Sequence, residues 1–185
     1  MLSLYLFGAP HIERDDESIT EAISGKTLAL LTYLVLNNRT HTRDFLAGLL
    51  WGELTEERAR ANLRLTLHNL QKAIPGYLDV TRKTAAFDAA QPHWVDVRRF
   101  EEALSQPTTT IAQRQEALDL YQGDLMEGVH IAGAFAFEDW LRGQRERYRL
   151  LLLSALDQVS KHYVRLEEWE PHTGLPRRML QPAPR

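Results

Sequence analysis

The chain has no cysteine among its 185 residues. Without thiols there are no disulfides, no thiolate metal sites and no cysteine nucleophile, a composition that suits a reducing cytoplasm. Long apolar runs are missing too. The longest lie around residues 28–36 and 150–153, far short of the roughly 20 residues that span a bilayer. Residues 1–25 carry acidic clusters and lack the basic, apolar and small-residue zones of a secretory leader. The expectation is a soluble, cytoplasmic protein with no membrane role. An excess of positive charge is also lacking: 22 Lys and Arg stand against 25 Asp and Glu, for a net charge of −3. Residues 1–90 hold ten basic and eleven acidic side chains, so this half carries no broad electrostatic footprint for nucleic acid.

Enzymatic signatures are equally scarce. The seven histidines are scattered, with neither a His-x-x-x-His pair nor a carboxylate-paired metal spacing. Ser24-Gly25-Lys26-Thr27 echoes the end of a phosphate loop, but no glycine-rich stretch precedes it, and Gly123, Gly128 and Gly133 lack a following Lys-Ser/Thr. No cofactor, metal or catalytic residue is expected.

What the chain does have is one informative helix. Thr55 is placed to cap it, and Glu56 and Glu57 suit the positive end of the helix dipole. Leu63, Leu67, Leu70 and Ile74 recur at steps of four, three and four, which builds a single buried stripe. Rotation by about 100° per residue sets Arg58, Ala61, Leu65, Asn69 and Lys72 opposite the stripe, with Asn62, Arg64 and His68 on its flanks. Arg and Lys bond guanine edges or phosphates, Asn pairs with adenine, and an exposed Leu meets a thymine methyl. The same pattern also describes an ordinary amphipathic helix with a solvated charged face. Between Glu56 and Lys83 there are six basic and three acidic residues, so positive charge is concentrated locally.

The flanking sequence gives the helix a context. Residues 2–8 alternate as a strand and close on Gly8-Ala9-Pro10; residues 11–14, a turn at Asp15-Asp16 and residues 18–20 read as two more strands. Residues 25–38 form an apolar helix stopped by an Asn pair, and Thr42 caps a helix running to Trp51. After the basic helix, Pro75-Gly76 breaks the chain. Tyr77–Val80 and Thr84–Phe87 then form a hairpin with Arg82 and Lys83 at its tip. Three strands, three helices and a basic-tipped hairpin fit a helix-turn-helix with a wing.

The second half is helical in pattern. Asp96 is expected to cap a helix through Phe100 and Leu104 that ends at Gln106-Pro107, and a second runs from Thr108–Thr110 to Tyr121. An irregular stretch from Gly123 to Ala136 follows. A long helix is then expected from Phe137 to about Arg165, with Trp140, Leu141, Tyr148, Leu152, Ala155, Leu156, Val159 and Tyr163 on its apolar face. Its basic cluster, Arg142 to Arg149, reads as a solvated face pairing with Glu138 and Glu146, ahead of a second DNA contact.

Taken together, Leu4-Tyr5-Leu6-Phe7-Gly8, the Lys26–Leu34 helix, Thr42-Arg43-Asp44 through Leu49-Leu50-Trp51, and Glu56-Glu57-Arg58 through Asn62-Leu63-Arg64 resemble SARP-type bacterial transcriptional regulators. Trp94-Val95-Asp96-Val97, Leu120-Tyr121 with Gly123-Asp124-Leu125, and Phe137-Glu138 with Trp140-Leu141 extend the resemblance to about residue 170. The resemblance implies a mainly α protein with a small α+β part. An OmpR-type winged helix would occupy residues 1–92 and a helical, TPR-like bacterial transcriptional activation domain residues 93–185. It implies DNA contacts by Arg58, Asn62, Arg64, Leu65, Thr66, His68, Asn69 and Lys72 on the recognition helix, and by Arg82 and Lys83 on the wing. The implied partners are double-stranded DNA, RNA polymerase and a second copy of the chain on repeated half-sites. The C-terminal stretch departs from the pattern. Trp169–Pro182 is broken by Pro171, Gly174 and Pro176, as in a truncated regulator or a loose tail, and an unfinished helical array exposes an apolar edge. A homodimer covers that edge; so does the tail itself through Leu175, Met179 and Leu180. The alternative function is a protein-interaction module that keeps the fold without strong DNA binding.

Overall fold

A computed structural model describes residues 1–169 except Ser24 and Pro107. The broken segment after Trp169 lies outside the described residues. Strands β1 (Leu2–Tyr5) and β2 (His11–Arg14) pair antiparallel, and β3 (Glu17–Ser18) extends them. Asp15 and Asp16 both take positive φ, 54° and 65°, as the two centres of a tight hairpin turn require. The third strand is shorter than the expected 18–20. Thr20 instead turns back, its Oγ1 accepting from the Ile12 N–H at 2.9 Å and meeting His11 Nδ1 at 3.1 Å, and Thr20–Ala22 forms a 3-10 turn.

Helices α1 (Gly25–Asn37), α2 (Arg43–Trp51) and α3 (Glu56–Ala73) follow, with β4 (His41–Thr42) between the first two. Thr42 caps α2, its Oγ1 accepting from the Phe45 N–H at 3.3 Å. Thr55 holds the N-cap position of α3 with extended backbone, but its side chain makes no capping bond. Strands β5 (Leu78–Val80) and β6 (Thr84–Phe87) form the expected hairpin, and β4 joins β6 to complete a three-stranded sheet.

Strand β7 (His93–Val95) was not anticipated. It runs parallel to β1, Leu2 opposite His93 and Leu4 opposite Val95, so it crosses a boundary drawn between residues 92 and 93. Helix α4 (Asp96–Ser105) begins immediately afterwards, with Val95 rather than Asp96 at its N-cap. The Asp96 carboxylate reaches back to the segment after β1 instead, accepting from the Leu6 and Phe7 N–H groups at 2.7 and 2.9 Å and from its neighbour Val97 at 2.6 Å. The side chain is 3% exposed. Burial pushes its pKa up to about 6, against the backbone N–H groups of Phe7, Val97, Leu6 and Asp96 itself, which pull it down.

Helix α5 (Ile111–Asp119) opens with a reciprocal capping box between Thr110 and Gln113. The irregular stretch that follows is held on residues 6–8, just after β1. The Gly8 N–H donates to Asp124 O at 2.9 Å, Met126 N–H to Leu6 O at 2.7 Å, and Glu127 N–H to Gly8 O at 2.8 Å. Helix α6 (Phe135–Trp169) then packs across α2, α4 and α5. Phe7 sits where these parts meet, with ring centroids 4.7 Å from Tyr121, 5.1 Å from Phe100 and 5.5 Å from Tyr148. One hydrophobic core therefore runs from Leu2 to Tyr148 and draws on both halves. Phe137, Leu141, Tyr148 and Ala155 of α6 are buried as the periodicity requires, whereas Leu156 and Tyr163 are exposed. Leu150, Leu153 and Val164 of the same helix are exposed as well.

Candidate nucleic-acid interface

Helix α3 is fixed at its back and open at its front. Ala59, Leu63, Leu67, Leu70 and the capping Ile74 are buried, which is the stripe expected from spacing. The far end is tied down by β2, where Arg14 Nη1 donates to Ala73 O at 2.6 Å. That contact satisfies a terminal carbonyl and puts a cation at the negative end of the helix.

The opposite face carries the candidate residues. Arg58, Arg64, His68, Asn69 and Lys72 are exposed, and Leu65 is 60% exposed. None of the four basic side chains in this set forms an ion pair among the described residues, and Asn69 makes no side-chain hydrogen bond there. Asn62 is half-buried on the flank. Thr66 does not belong to the set: it is 8% exposed. At three residues beyond Leu63 and four before Leu70, it lies at the edge of the buried stripe, and a side chain there faces the core.

The hairpin tip is braced against the N-terminus of α2. Thr81 N–H donates to Thr84 O at 2.9 Å, and Thr81 Oγ1 accepts from the Lys83 and Thr84 N–H groups at 3.2 and 3.0 Å, a turn closed by its own hydroxyl. The Arg43 N–H donates to Lys83 O at 2.8 Å, and its Nη1 to Thr81 O at 3.3 Å. Arg82 and Lys83 are both exposed. Arg82 and Arg64 line one cleft of about 240 Å³ with Arg43, Asp44, Arg60 and Leu63, so hairpin and helix present a common surface. Arg43 and Arg60 were not singled out from the sequence. Arg43 directly follows a helix cap, and Arg60 reads as an i, i+4 partner of Glu56, which it is at 3.3 Å.

The second basic cluster, on α6, is arranged differently. Arg145 donates to Leu125 O at 2.8 Å and Met126 O at 2.7 Å. Arg149 holds Asp124 through Nε at 2.8 Å and through a second nitrogen, Arg147 pairs with Glu101, and Arg142 with Asp139 at 3.2 Å. The partners expected from spacing, Glu138 and Glu146, are not the ones used. Glu138 accepts from the Ile131 N–H and faces His130 at 3.3 Å. Among the described residues, no group of three or more His, Cys, Asp or Glu could hold a metal ion, and no helix is long and apolar enough to cross a membrane.

Residues 88–184, a little over half of the chain, match the family described as bacterial transcriptional activator domain. The chain belongs to that family. This membership bears out the resemblance to SARP-type transcriptional regulators drawn from the motifs. Among solved structures, the chain is similar to Mycobacterium tuberculosis EmbR in complex with a low-affinity phosphopeptide, at 20% identity and a TM-score of 0.65. The match covers 90% of this chain and 48% of the other, so the chain spans about half the length of that structure. At this identity the likeness speaks for the fold, and it takes in the region before residue 88 that the family match leaves out. Among curated proteins, none matches the chain.

Proposed function

We propose that this member of the bacterial transcriptional activator domain family is a sequence-specific DNA-binding regulator. In this reading, α1 to α3 with the β5–β6 hairpin form a winged helix-turn-helix over residues 1–92. Helix α3 enters the major groove, and the hairpin tip at Arg82 and Lys83 lies on phosphate or the adjacent minor groove. The residues from 93 onward act as a TPR-like helical domain toward RNA polymerase, in the cytoplasm. The observation that carries the reading is the front of α3: Arg58, Arg64, Leu65, His68, Asn69 and Lys72 stand exposed on a helix whose back is locked into the core. Arg64 also shares a cleft with the hairpin's Arg82. Two elements presenting unpaired donors side by side suit a groove and its bordering phosphates better than they suit bulk water.

The test is a gel shift with the DNA upstream of the chain's own gene at two salt concentrations. A retarded band that weakens steeply with salt and outlasts excess unrelated duplex supports the reading. No band at low salt favours a protein-interaction module, the reading that the near-balanced charge of residues 1–90 supports. A homodimer belongs to the same proposal, since two recognition helices reading half-sites one turn apart need a two-fold partner. The exposed Leu150, Leu153, Leu156 and Val164 of α6 offer an apolar surface for it. Sedimentation equilibrium at micromolar concentration decides the point, and a monomer mass in the presence and absence of DNA removes the dimer.

A further inference from the structure

The cleft between α2, α3 and the hairpin has an unusual charge balance. Four guanidinium groups, Arg43, Arg60, Arg64 and Arg82, surround it, Leu63 closes its floor, and Asp44 is the one carboxylate on its wall. At about 240 Å³ it has room for several waters of about 30 Å³ each, and so for one phosphate group. Arg43 is held by the Thr81 carbonyl, and the hairpin by the Arg43 N–H, which fixes the cleft's width. Arg60 is the arginine of the four that a carboxylate neutralises: its Nε donates to Asp44 Oδ1 at 2.8 Å, and Glu56 approaches its Nη2 at 3.3 Å. Both partners are solvent-facing, with Asp44 at 71% and Arg60 at 52% side-chain exposure. An ion pair this exposed adds little to stability and breaks easily.

We propose that Asp44 is an internal stand-in for a DNA phosphate: it holds Arg60 in the free protein and releases it to a backbone phosphate seated in this cleft when α3 docks. The proposal rests on the reading of α3 as the DNA-binding helix, and adds to it a gate. Arg60 is kept oriented toward the cleft before DNA arrives, and Asp44 lowers affinity for every duplex equally, because phosphate contacts carry no sequence information. A site that binds every sequence less well leaves more of the total affinity to base contacts by Arg64 and Asn69. Specificity is a difference of affinities, so this shared penalty leaves the ratio between sequences unchanged and acts by lowering the occupancy of unspecific duplex. A backbone phosphate is favoured over a free anion because the cleft lies between the helix and the hairpin, the two elements that border the groove in this arrangement.

The experiment measures binding of the full chain to a fluorescein-labelled random-sequence duplex of about two helical turns by anisotropy, over a series of salt concentrations. Asp44→Asn is expected to bind about two- to fivefold tighter, the scale of an exposed ion pair. Arg60→Ala is expected to bind more weakly and to flatten the salt dependence by about 0.9, the value of one phosphate contact. The deciding variant is the double one: with Arg60 gone, Asp44→Asn gains nothing. Glu57→Gln removes the same charge from the first turn of α3 without touching Arg60, and its gain stays below that of Asp44→Asn. Arg60→Gln repeats the test should the alanine variant melt below the wild type.

If Asp44→Asn gains as much in the Arg60→Ala background as alone, the effect is bulk charge and the gate is overturned. If inorganic phosphate at constant ionic strength displaces the duplex from the wild type but not from Arg60→Ala, the cleft is a free-anion site and the gate is likewise overturned. Should Asp44 variants behave as wild type while loss of Arg64 and Asn69 abolishes specific binding, the gate alone fails. A wild type that binds no duplex at low salt removes both readings together.

Discussion

Helices α3 and α6 each carry a series of arginines that look alike in the sequence, and the fold treats them in opposite ways. On α6, Arg142, Arg145, Arg147 and Arg149 all have partners, and Arg145 satisfies two backbone carbonyls of the Leu125–Met126 turn. On α3, Arg58 and Arg64 have no ion-pair partner among the described residues, and Arg60 is held by a neighbour that faces solvent. Arg145, Arg147 and Arg149 tie α6 to other parts of the fold, whereas Arg142 only pairs with Asp139 on its own exposed surface; the α3 set is free to meet something else. A count of arginines cannot separate the two, because each helix carries several of them. What separates them is where the carboxylates and orphan carbonyls fall in three dimensions.

The comparison predicts that structural contacts fail as stability and open ones fail as binding. The largest stability loss is expected at Asp96, which joins the segment after β1 to α4. Asp96→Ala leaves the Leu6 and Phe7 N–H groups buried without an acceptor, a cost of about 3–4 kcal/mol from two orphaned donors at about 1–3 kcal/mol each, read by urea unfolding. The same carboxyl has a pH signature. Its folded pKa of about 6 lies above the ordinary aspartate value of 3.8, so the native state holds the proton more tightly than the unfolded chain. Its contribution is therefore fully present below about pH 4 and is lost as pH rises through 6. Relative to Asp96→Asn, the wild type is expected to lose up to about 3 kcal/mol between pH 4 and 7. A wild type that gains on Asp96→Asn as pH rises would mean that the backbone donors outweigh burial.

Next comes Arg145→Ala, which strips Leu125 O and Met126 O of charged donors. Hydrogen bonds to charged groups contribute about 1.5–3 kcal/mol each, and since solvent reaches part of this site, a loss of about 2–3 kcal/mol is expected. Thermal melts report it, and DNA affinity of the folded fraction stays unchanged. A stable Arg145→Ala with weakened DNA binding would move α6 to the DNA side of the comparison.

Much of this arrangement was legible in the sequence, and the misses have a common cause. The α3 stripe, the Thr42 cap, the hairpin and the long α6 were all readable because each is a local pattern of caps, turn residues and periodicity. Strand β7 was not, since three residues whose only partner lies about ninety positions earlier leave no periodic trace. Asp96 was read as a helix cap for the same reason: its carboxylate serves the Leu6 and Phe7 N–H groups just after β1, and local grammar sees only the helix that follows. The α6 pairs were expected three or four residues apart, but Arg149 and Arg147 found Asp124 and Glu101 across the fold. Thr66 is a different error, one the helical wheel itself could have prevented. Arg43 and Arg60 entered the site only because the hairpin folds back onto α2, which no spacing encodes.

On the open side, Arg64→Ala is expected to cost about 1–3 kcal/mol in specific binding if the guanidinium reads a base, with the loss confined to one position of the operator. Its melting temperature should match the wild type, since no described residue depends on it. Joint loss of Arg64 and Asn69 should abolish sequence preference. Specific binding that persists in the double variant would show that α3 does not read the groove.

The smallest effect is expected at the hairpin tip. Arg82 and Lys83 are exposed, but the turn that bears them is held by backbone: Thr81 closes it, and the Lys83 carbonyl accepts from Arg43. Replacing both side chains by Ala therefore leaves the hairpin in place and removes two charges from the surface. If they lie on phosphate, binding to all sequences falls alike, and the slope of log K against log salt flattens by about one to two units. Preference among operators is unchanged, because phosphates are the same in every sequence. If they reach the minor groove instead, the slope changes by the same amount, but the loss is larger at A·T-rich flanks, whose narrow groove attracts arginine. Comparing operators that differ only in their flanks separates the two placements. An unchanged slope on every flank would put the hairpin off the DNA, leaving its two charges as a solvated tip and α3 as the whole of the interface.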